Sequence, residues 1–233
     1  MSSKKRILAI IPARSGSAGL AHKNLKKLAG KPLLQHAIEL AQASRRSAEA
    51  WTICVSTDSS HYARLARKVG AQTPFLRPKH LATARAPLWK VLAHCLDAYA
   101  KKGQEYDFVV LLSCSTPLTN VADVRKGLKL AQQSGQAVAS VVAEKGGLNW
   151  RFRVKKERLQ QLDVHSVGRR QAAEELFRIN GAIYVASPSW LKKHRYFIVD
   201  GATQALKMPE HRSWDVESAL DLKIAEILWA QTS

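Results

Sequence analysis

Residues 6–24, RILAIIPARSGSAGLAHKN, constrain this chain more than any other stretch. Ile7-Leu8-Ala9-Ile10-Ile11 is a short apolar run rich in β-branched side chains, the composition of a central strand buried on both faces. Pro12 ends that strand, because proline has no N–H to give to a ladder. Apart from Arg14, residues 13–19 are small, and the backbone amides of such a loop can face an anion. Arg14 and Lys23 flank the loop, Ser17 lies inside it, and Asn24 closes it. A strand feeding a small-residue loop between two cations suggests a cradle for a triphosphate. An ordinary strand-to-helix turn with solvated basic residues satisfies the same spacing, so the residues alone leave both readings open.

Two better-known phosphate motifs are excluded. A Walker loop needs four residues between its glycines and then Gly-Lys-Ser/Thr, whereas Gly16 and Gly19 are too close and Leu20 follows. The dinucleotide fingerprint needs glycine where Arg14 stands and an acid at the end of the next strand, and Asp58 lies too far along for that role.

After the loop, Lys31-Pro32 introduces a helix, with proline suited to its first position. Leu33, Leu34, Ala37, Ile38 and Ala41 share one of its faces. Strands are predicted at 51–56, 73–76 (short), 107–113, 137–143 and 177–186. Helices are predicted at 60–69, 87–101 (burying Leu88, Val91, Leu92, Cys95 and Leu96), 123–133 and 218–229, the 60–69 helix capped by 57–59. This alternation implies an α/β protein with a doubly wound, mostly parallel sheet and helices on both faces. Ligands of such sheets bind outside the carboxyl ends of the strands, where the first loop and the 113–119 loop both lie. The 233 residues suffice for one domain spanning 1–233. Between 144 and 177 the rhythm breaks into a polar, basic segment too poor in apolar residues to be a domain, either an arm or a plain surface insertion.

Thirty-seven Lys+Arg against 18 Asp+Glu give a net charge of +19, a balance that attracts anions, nucleic acid included. The basic residues are spread along the chain, with no zinc finger or RNP pattern, so nucleic acid is not the expected partner. Most of the excess is read as solvated surface, with part of it serving anionic substrates. Cys54, Cys95 and Cys114 are scattered, which argues against a disulfide framework or a zinc site and fits a reducing cytoplasm. No apolar run has the length of a membrane span, and no secretory signal is convincing.

IIPARSGSAGLAHKN resembles the N-terminal signature of the cytidylyltransferases that activate acylneuraminates and related nonulosonic acids, the CMP-sialic acid synthetase family. Further blocks follow in family order: GKPLLQHAIELA, VSTDS, PFLRP-x-x-LA, a degraded LLSCSTPLT, RRQ, FRINGAIYV and SWDVESALDLKIAE. The resemblance implies a Rossmann-like nucleotidyltransferase domain that transfers CMP from CTP to the anomeric hydroxyl of an acidic nine-carbon sugar and releases pyrophosphate. It also implies a homodimer, with the 144–177 segment as the dimerisation arm.

On that resemblance, Arg14, Ser17, Lys23, Asn24 and Arg77 are nucleotide-side residues, and Arg14, Lys23 and Asp215 are the catalytic candidates. Ser113, Arg170, Gln171, Asn180, Tyr184, Tyr196 and Phe197 are the candidates for the sugar acid. Arginine suits a bidentate grip on its carboxylate. Asn180-Gly181 is equally readable as a turn before a strand, and Tyr196-Phe197 as a plain core pair. Asp215 and Glu217 alternate in an extended stretch, so their carboxylates face one way and together suit a magnesium ion bridging the CTP phosphates. The same two acids also fit a helix cap with an acidic first turn.

The chain departs from the family pattern at several points. Ala18 replaces a phosphate-facing lysine, and the loop Gln-Pro-Thr-Ser-Pro-Leu-Arg appears as SCSTPLT, losing a glutamine at Ser113 and an arginine at Thr119. Acids are lost at Ala84 and Ala172, and Glu217 stands where an aspartate is usual. A catalytically weakened or silent relative on the same fold, and a Kdo cytidylyltransferase, are therefore the alternatives. Kdo enzymes resemble the 166–186 region less.

Overall fold

The computed structural model describes residues 4–16, 19–144, 152–155, 158–161 and 175–231. The first strand, β1 (Lys5–Pro12), lies inside a six-stranded sheet. Ile7, Ala9 and Ile11 point into one core and Leu8 and Ile10 into the other, all without solvent exposure. That is the alternation of a strand covered on both faces. Two-residue strands β2 (Lys27–Leu28) and β3 (Lys31–Pro32) form a small hairpin before α1 (Leu33–Ala43). Then follow β4 (Glu49–Ser56), α2 (Ser60–Lys68), α3 (Leu88–Ala100), β5 (Phe108–Leu112), α4 (Val121–Ser134) and β6 (Val138–Ala143). Next come β7 (Phe152–Lys155), β8 (Arg158–Gln161), β9 (Phe177–Ala186), α5 (Pro188–His194), β10 (Gln204–Lys207) and α6 (Ala219–Ala230). Helices α1, α2, α4 and α6 pack on the first core and α3 and α5 on the second.

The sheet order is β10-β6-β9-β5-β1-β4. Strands β4, β1 and β5 are parallel, with Pro12 level with Ser56 and Ile10 level with Leu111. Strand β9 runs antiparallel to both β5 and β6, and β10 pairs parallel with β6. The predicted α/β architecture is therefore present, with one reversed strand inside it. Within the 144–177 segment, the described residues of β7 and β8 pair antiparallel as a two-stranded sheet that is not part of the six-stranded one.

Three local expectations need correction. Residues 73–76 form no strand; β4 is met there by one bridge, Cys54 to Gln72, because Pro74 and Pro78 interrupt any continuing ladder. Pro32 precedes α1 as its cap instead of opening it, its place set by the pairing of Lys31-Pro32 with Lys27-Leu28. Leu88, expected on the buried side of α3, is exposed at the helix start, while Val91, Leu92, Cys95 and Tyr99 make the contact. The three cysteines are buried and unpaired, as their spacing predicted.

Candidate active site

Parallel pairing of β1 with β4 and β5 delivers three carboxyl ends to one edge. At the end of β1, the Ala13 N–H donates to the Ser56 carbonyl at 2.9 Å. Ser15 then donates twice to Asp58 just beyond β4, its N–H to Oδ1 at 2.8 Å and its hydroxyl to Oδ2 at 2.6 Å. These two bonds hold the Asp58 carboxyl below its ordinary range against the opposing effect of burial. The chain returns through a short 3₁₀ turn, Lys23–Leu25, where buried Asn24 donates its Nδ2 to the Arg14 carbonyl at 3.1 Å. Asn24 thus shapes the loop from inside.

The opposite wall comes from the end of β5 and the segment before α6. Ser113 and Ser115 hydroxyls are 2.9 Å apart, and the Ser115 carbonyl accepts from the Val216 N–H at 2.8 Å. Val216 has no exposed surface, while Asp215 and Glu217 on either side of it are exposed. The alternation expected of an extended stretch is present. Gly19 lies so close that an added Cβ would sit 2.5 Å from the Glu217 carbonyl oxygen. Only glycine lets the first loop lie against this segment. The two walls also meet through charge, with Lys23 Nζ 2.5 Å from Glu217 Oε1.

Between them lies a cavity of about 250 Å³, with Arg14, Lys23 and Asn24 on one side and Ser113, Ser115 and Glu217 on the other. Asp215 stands beside it. The protein around its carboxylate pushes its carboxyl above the ordinary range and the Glu217 charge adds to this, although the Ser115 hydroxyl and Lys23 pull the other way. The helix-cap alternative does not describe these two acids. Ser218 caps α6 and accepts from the Asp221 N–H at 3.2 Å, and Asp221 returns a bond to the Ser218 N–H at 2.7 Å. Two hard carboxylates on one side of an extended stretch are a donor set that fits magnesium. No group of three or more His, Cys, Asp and Glu able to hold a metal forms among the described residues, and magnesium beside a triphosphate takes only one or two protein carboxylates.

The remaining candidates divide. Arg77 is 5% exposed and does not line the cavity; its Nε donates to the Ser56 hydroxyl at 3.0 Å and its Nη2 to the Ser56 carbonyl, beneath the first loop. Asn180 is 4% exposed and sits within β9, not in a turn before it, where Gly181 at φ 73° and a register shift mark an irregularity. Its Oδ1 accepts from the Ser140 hydroxyl at 2.5 Å and the Ala182 N–H at 3.1 Å, and its Nδ2 donates to the Ser213 hydroxyl at 2.8 Å. It is a core connector. Phe197, 3% exposed, packs on Tyr184 with ring centroids 5.0 Å apart, so the core reading describes it; Tyr196 is 56% exposed and does not share that burial. Tyr184 is half-buried within electrostatic reach of Asp215. Ser17, Arg170 and Gln171 lie outside the described residues. Asp58, Ser115 and Gly19 were not among the candidates. Only Asp58 carried a sequence signal, an acid just after the second long strand.

A family model described as cytidylyltransferase matches residues 8–189. The CMP-N,N'-diacetyllegionaminic acid synthase of Legionella pneumophila is 30% identical over 235 residues, 96% of each chain. The N-acylneuraminate cytidylyltransferase of Escherichia coli is 31% identical over 95% of this chain and 52% of its own length. Among solved structures, a CMP:2-keto-3-deoxy-manno-octonic acid synthetase complexed with CTP superposes with a TM-score of 0.73 at 17% identity, covering 98% of this chain and all of that one. At that identity the likeness speaks for the fold alone. The family match and the full-length relative go further, and they agree with the loop, the cavity and the order of the motifs: the chain belongs to the cytidylyltransferase family, as an enzyme of the acylneuraminate cytidylyltransferase type.

Proposed function

We propose that this protein transfers CMP from CTP to the anomeric hydroxyl of an acylneuraminate-type nonulosonic acid and releases pyrophosphate. The hydroxyl oxygen attacks the α-phosphorus and gives up its proton to solvent, the bond from that phosphorus to the bridging oxygen breaks, and pyrophosphate leaves with the bonding pair. One observation carries the reading: Arg14, Lys23 and Glu217 line one cavity of about 250 Å³, with Lys23 paired to Glu217 and Asp215 beside it. Cations and carboxylates facing each other are what a triphosphate with a divalent cation needs.

Within that reaction, Arg14 offers a fork of donors to phosphate oxygens and Lys23 a point charge. Lys23 exchanges Glu217 for phosphate when the nucleotide enters. Asp215 and Glu217 are the residues that would hold magnesium, which neutralises triphosphate charge when bound. Ser113 and Ser115 face the cavity from β5 and offer hydroxyls toward the sugar acid. Their small size, where the family has a glutamine at position 113, leaves room for a substituent that the usual acid lacks. The ribbon of β7 and β8 is the arm of a homodimer, and light scattering at micromolar concentration should find two chains.

The test is pyrophosphate release with CTP against N,N'-diacetyllegionaminic acid, N-acetylneuraminate and Kdo. Turnover is expected with a nine-carbon acid and not with Kdo. Turnover with Kdo alone would replace this reading by the Kdo alternative. CTP binding without turnover on any acid would place the chain among silent relatives.

A further inference from the structure

We infer that Asp58 is a positioning residue for the nucleotide, holding one peptide group of the phosphate-facing loop in a fixed orientation without itself touching phosphate. The inference rests on the reading that this loop receives CTP. The Arg14 carbonyl and the Ser15 N–H belong to the same peptide unit. Asn24 donates to that carbonyl at 3.1 Å, and Asp58 accepts from that N–H at 2.8 Å. Side chains from two different places thus clamp a single peptide plane at both ends. A second bond, from the Ser15 hydroxyl to the other Asp58 oxygen at 2.6 Å, fixes the carboxylate's own rotation.

The clamp sits where it has most leverage. Register places Ser56 beside Pro12, so Asp58, two residues past β4, falls level with the point where the chain leaves β1. Rotating the Arg14–Ser15 peptide would break both bonds and change the path of the chain next to Arg14, which lines the cavity. A carboxylate near a triphosphate is electrostatically unfavourable on its own. Here its two oxygens are turned to Ser15, and the charge of Arg77 lies within reach on the buried side. Asp58 itself is not among the residues lining the cavity. A plain turn-stabilising acid needs neither the second bond nor a partner on the far side of the same peptide.

Calorimetric titration of CTP into wild type, Asp58→Ala and Ser15→Ala tests this, together with kcat and the KM of each substrate. Asp58→Ala is expected to weaken CTP binding at least tenfold. Its kcat at saturating CTP should stay within about threefold, and the KM for the sugar acid should be unchanged. Ser15→Ala keeps the N–H bond, so it should weaken CTP binding only a few-fold at an unchanged melting temperature, even where Asp58→Ala fails to fold. The double variant should bind CTP no worse than Asp58→Ala, because both changes remove one clamp. Wild-type affinity in both single variants would overturn the inference, as would an equal rise in both KM values with a fall in melting temperature. Absence of CTP binding by wild type would instead overturn the functional reading, and this inference with it.

Discussion

In the half of the sheet formed by β4, β1 and β5, three parallel strands end at one edge, and the loops leaving them bring Arg14, Asp58 and Ser113 together. In the other half, β9 runs against its neighbours, and the candidates it carries turn inward: Asn180 joins Ser140 and Ser213, and Tyr184 packs on Phe197. Parallel strands place their carboxyl ends side by side, so a residue just past a strand is at the crevice. A reversed strand puts its carboxyl end at the other edge, and residues along it belong to the layers. The second wall of the site is therefore supplied by the extended segment through Val216, which docks on Ser115.

The sharpest way to break this contrast is Asp215→Asn, because it attacks the wall that the strand rule does not supply. Turnover should fall about a hundredfold or more, as expected for lost charge stabilisation in the transition state. Measuring rate against magnesium concentration checks it; equal rates and equal magnesium midpoints in both proteins would remove the carboxylates from the site. Lys23→Ala tests the parallel half. CTP binding should weaken at least tenfold in a titration, with the fold retained.

Asn180→Ala should do the reverse. It removes one bond from each of the Ser140 and Ser213 hydroxyls, which keep Ile183 and Pro209, and leaves the Ala182 N–H without its side-chain acceptor, at a cost of ~3 kcal/mol in urea unfolding. The KM for CTP should change little. A protein of normal stability with a raised KM for the sugar acid would return Asn180 to the site.

The smallest effect is on stability against pH. Asp215 is raised above its ordinary 3.8 by the protein that displaces water around its carboxylate, although the residue as a whole is exposed, and by Glu217, so the folded protein binds its proton more tightly than the unfolded chain does. Its favourable contribution is complete below that ordinary value and is lost as pH rises through the elevated one. Asp215→Asn should match wild type in melting temperature at low pH and exceed it toward neutrality. A wild type that gains on the variant as pH rises would contradict the shift.

Much of the fold was legible because burial writes a periodic signal into neighbouring residues. Ile7 to Ile11 announces a strand covered on both faces, and α1, α2 and α4 show their buried stripes within a residue or two of their observed ends. Arg14, Lys23 and Asn24 were legible for a related reason: they follow β1 directly, and a parallel strand's end is a place that topology assigns. Strand direction leaves no such mark. The apolar pattern of β9 reads the same in either orientation, so only its pairing with β5 and β6 decided that Asn180 lies inside. Residues 73–76 misled because extended composition does not ensure a neighbour.

What the sequence by itself determined is therefore the α/β architecture, the loop after β1 and the cations on it. Tertiary structure decided which partners those groups meet. Ser15 finds Asp58 across 43 positions, and Lys23 finds Glu217 across 194. Gly19 is required by a carbonyl on a segment almost 200 residues away. Periodicity records how much of a side chain faces the core, which depends on the element that carries it. Hydrogen bonds and ion pairs depend on which elements the packing sets side by side, and local pattern holds no record of that.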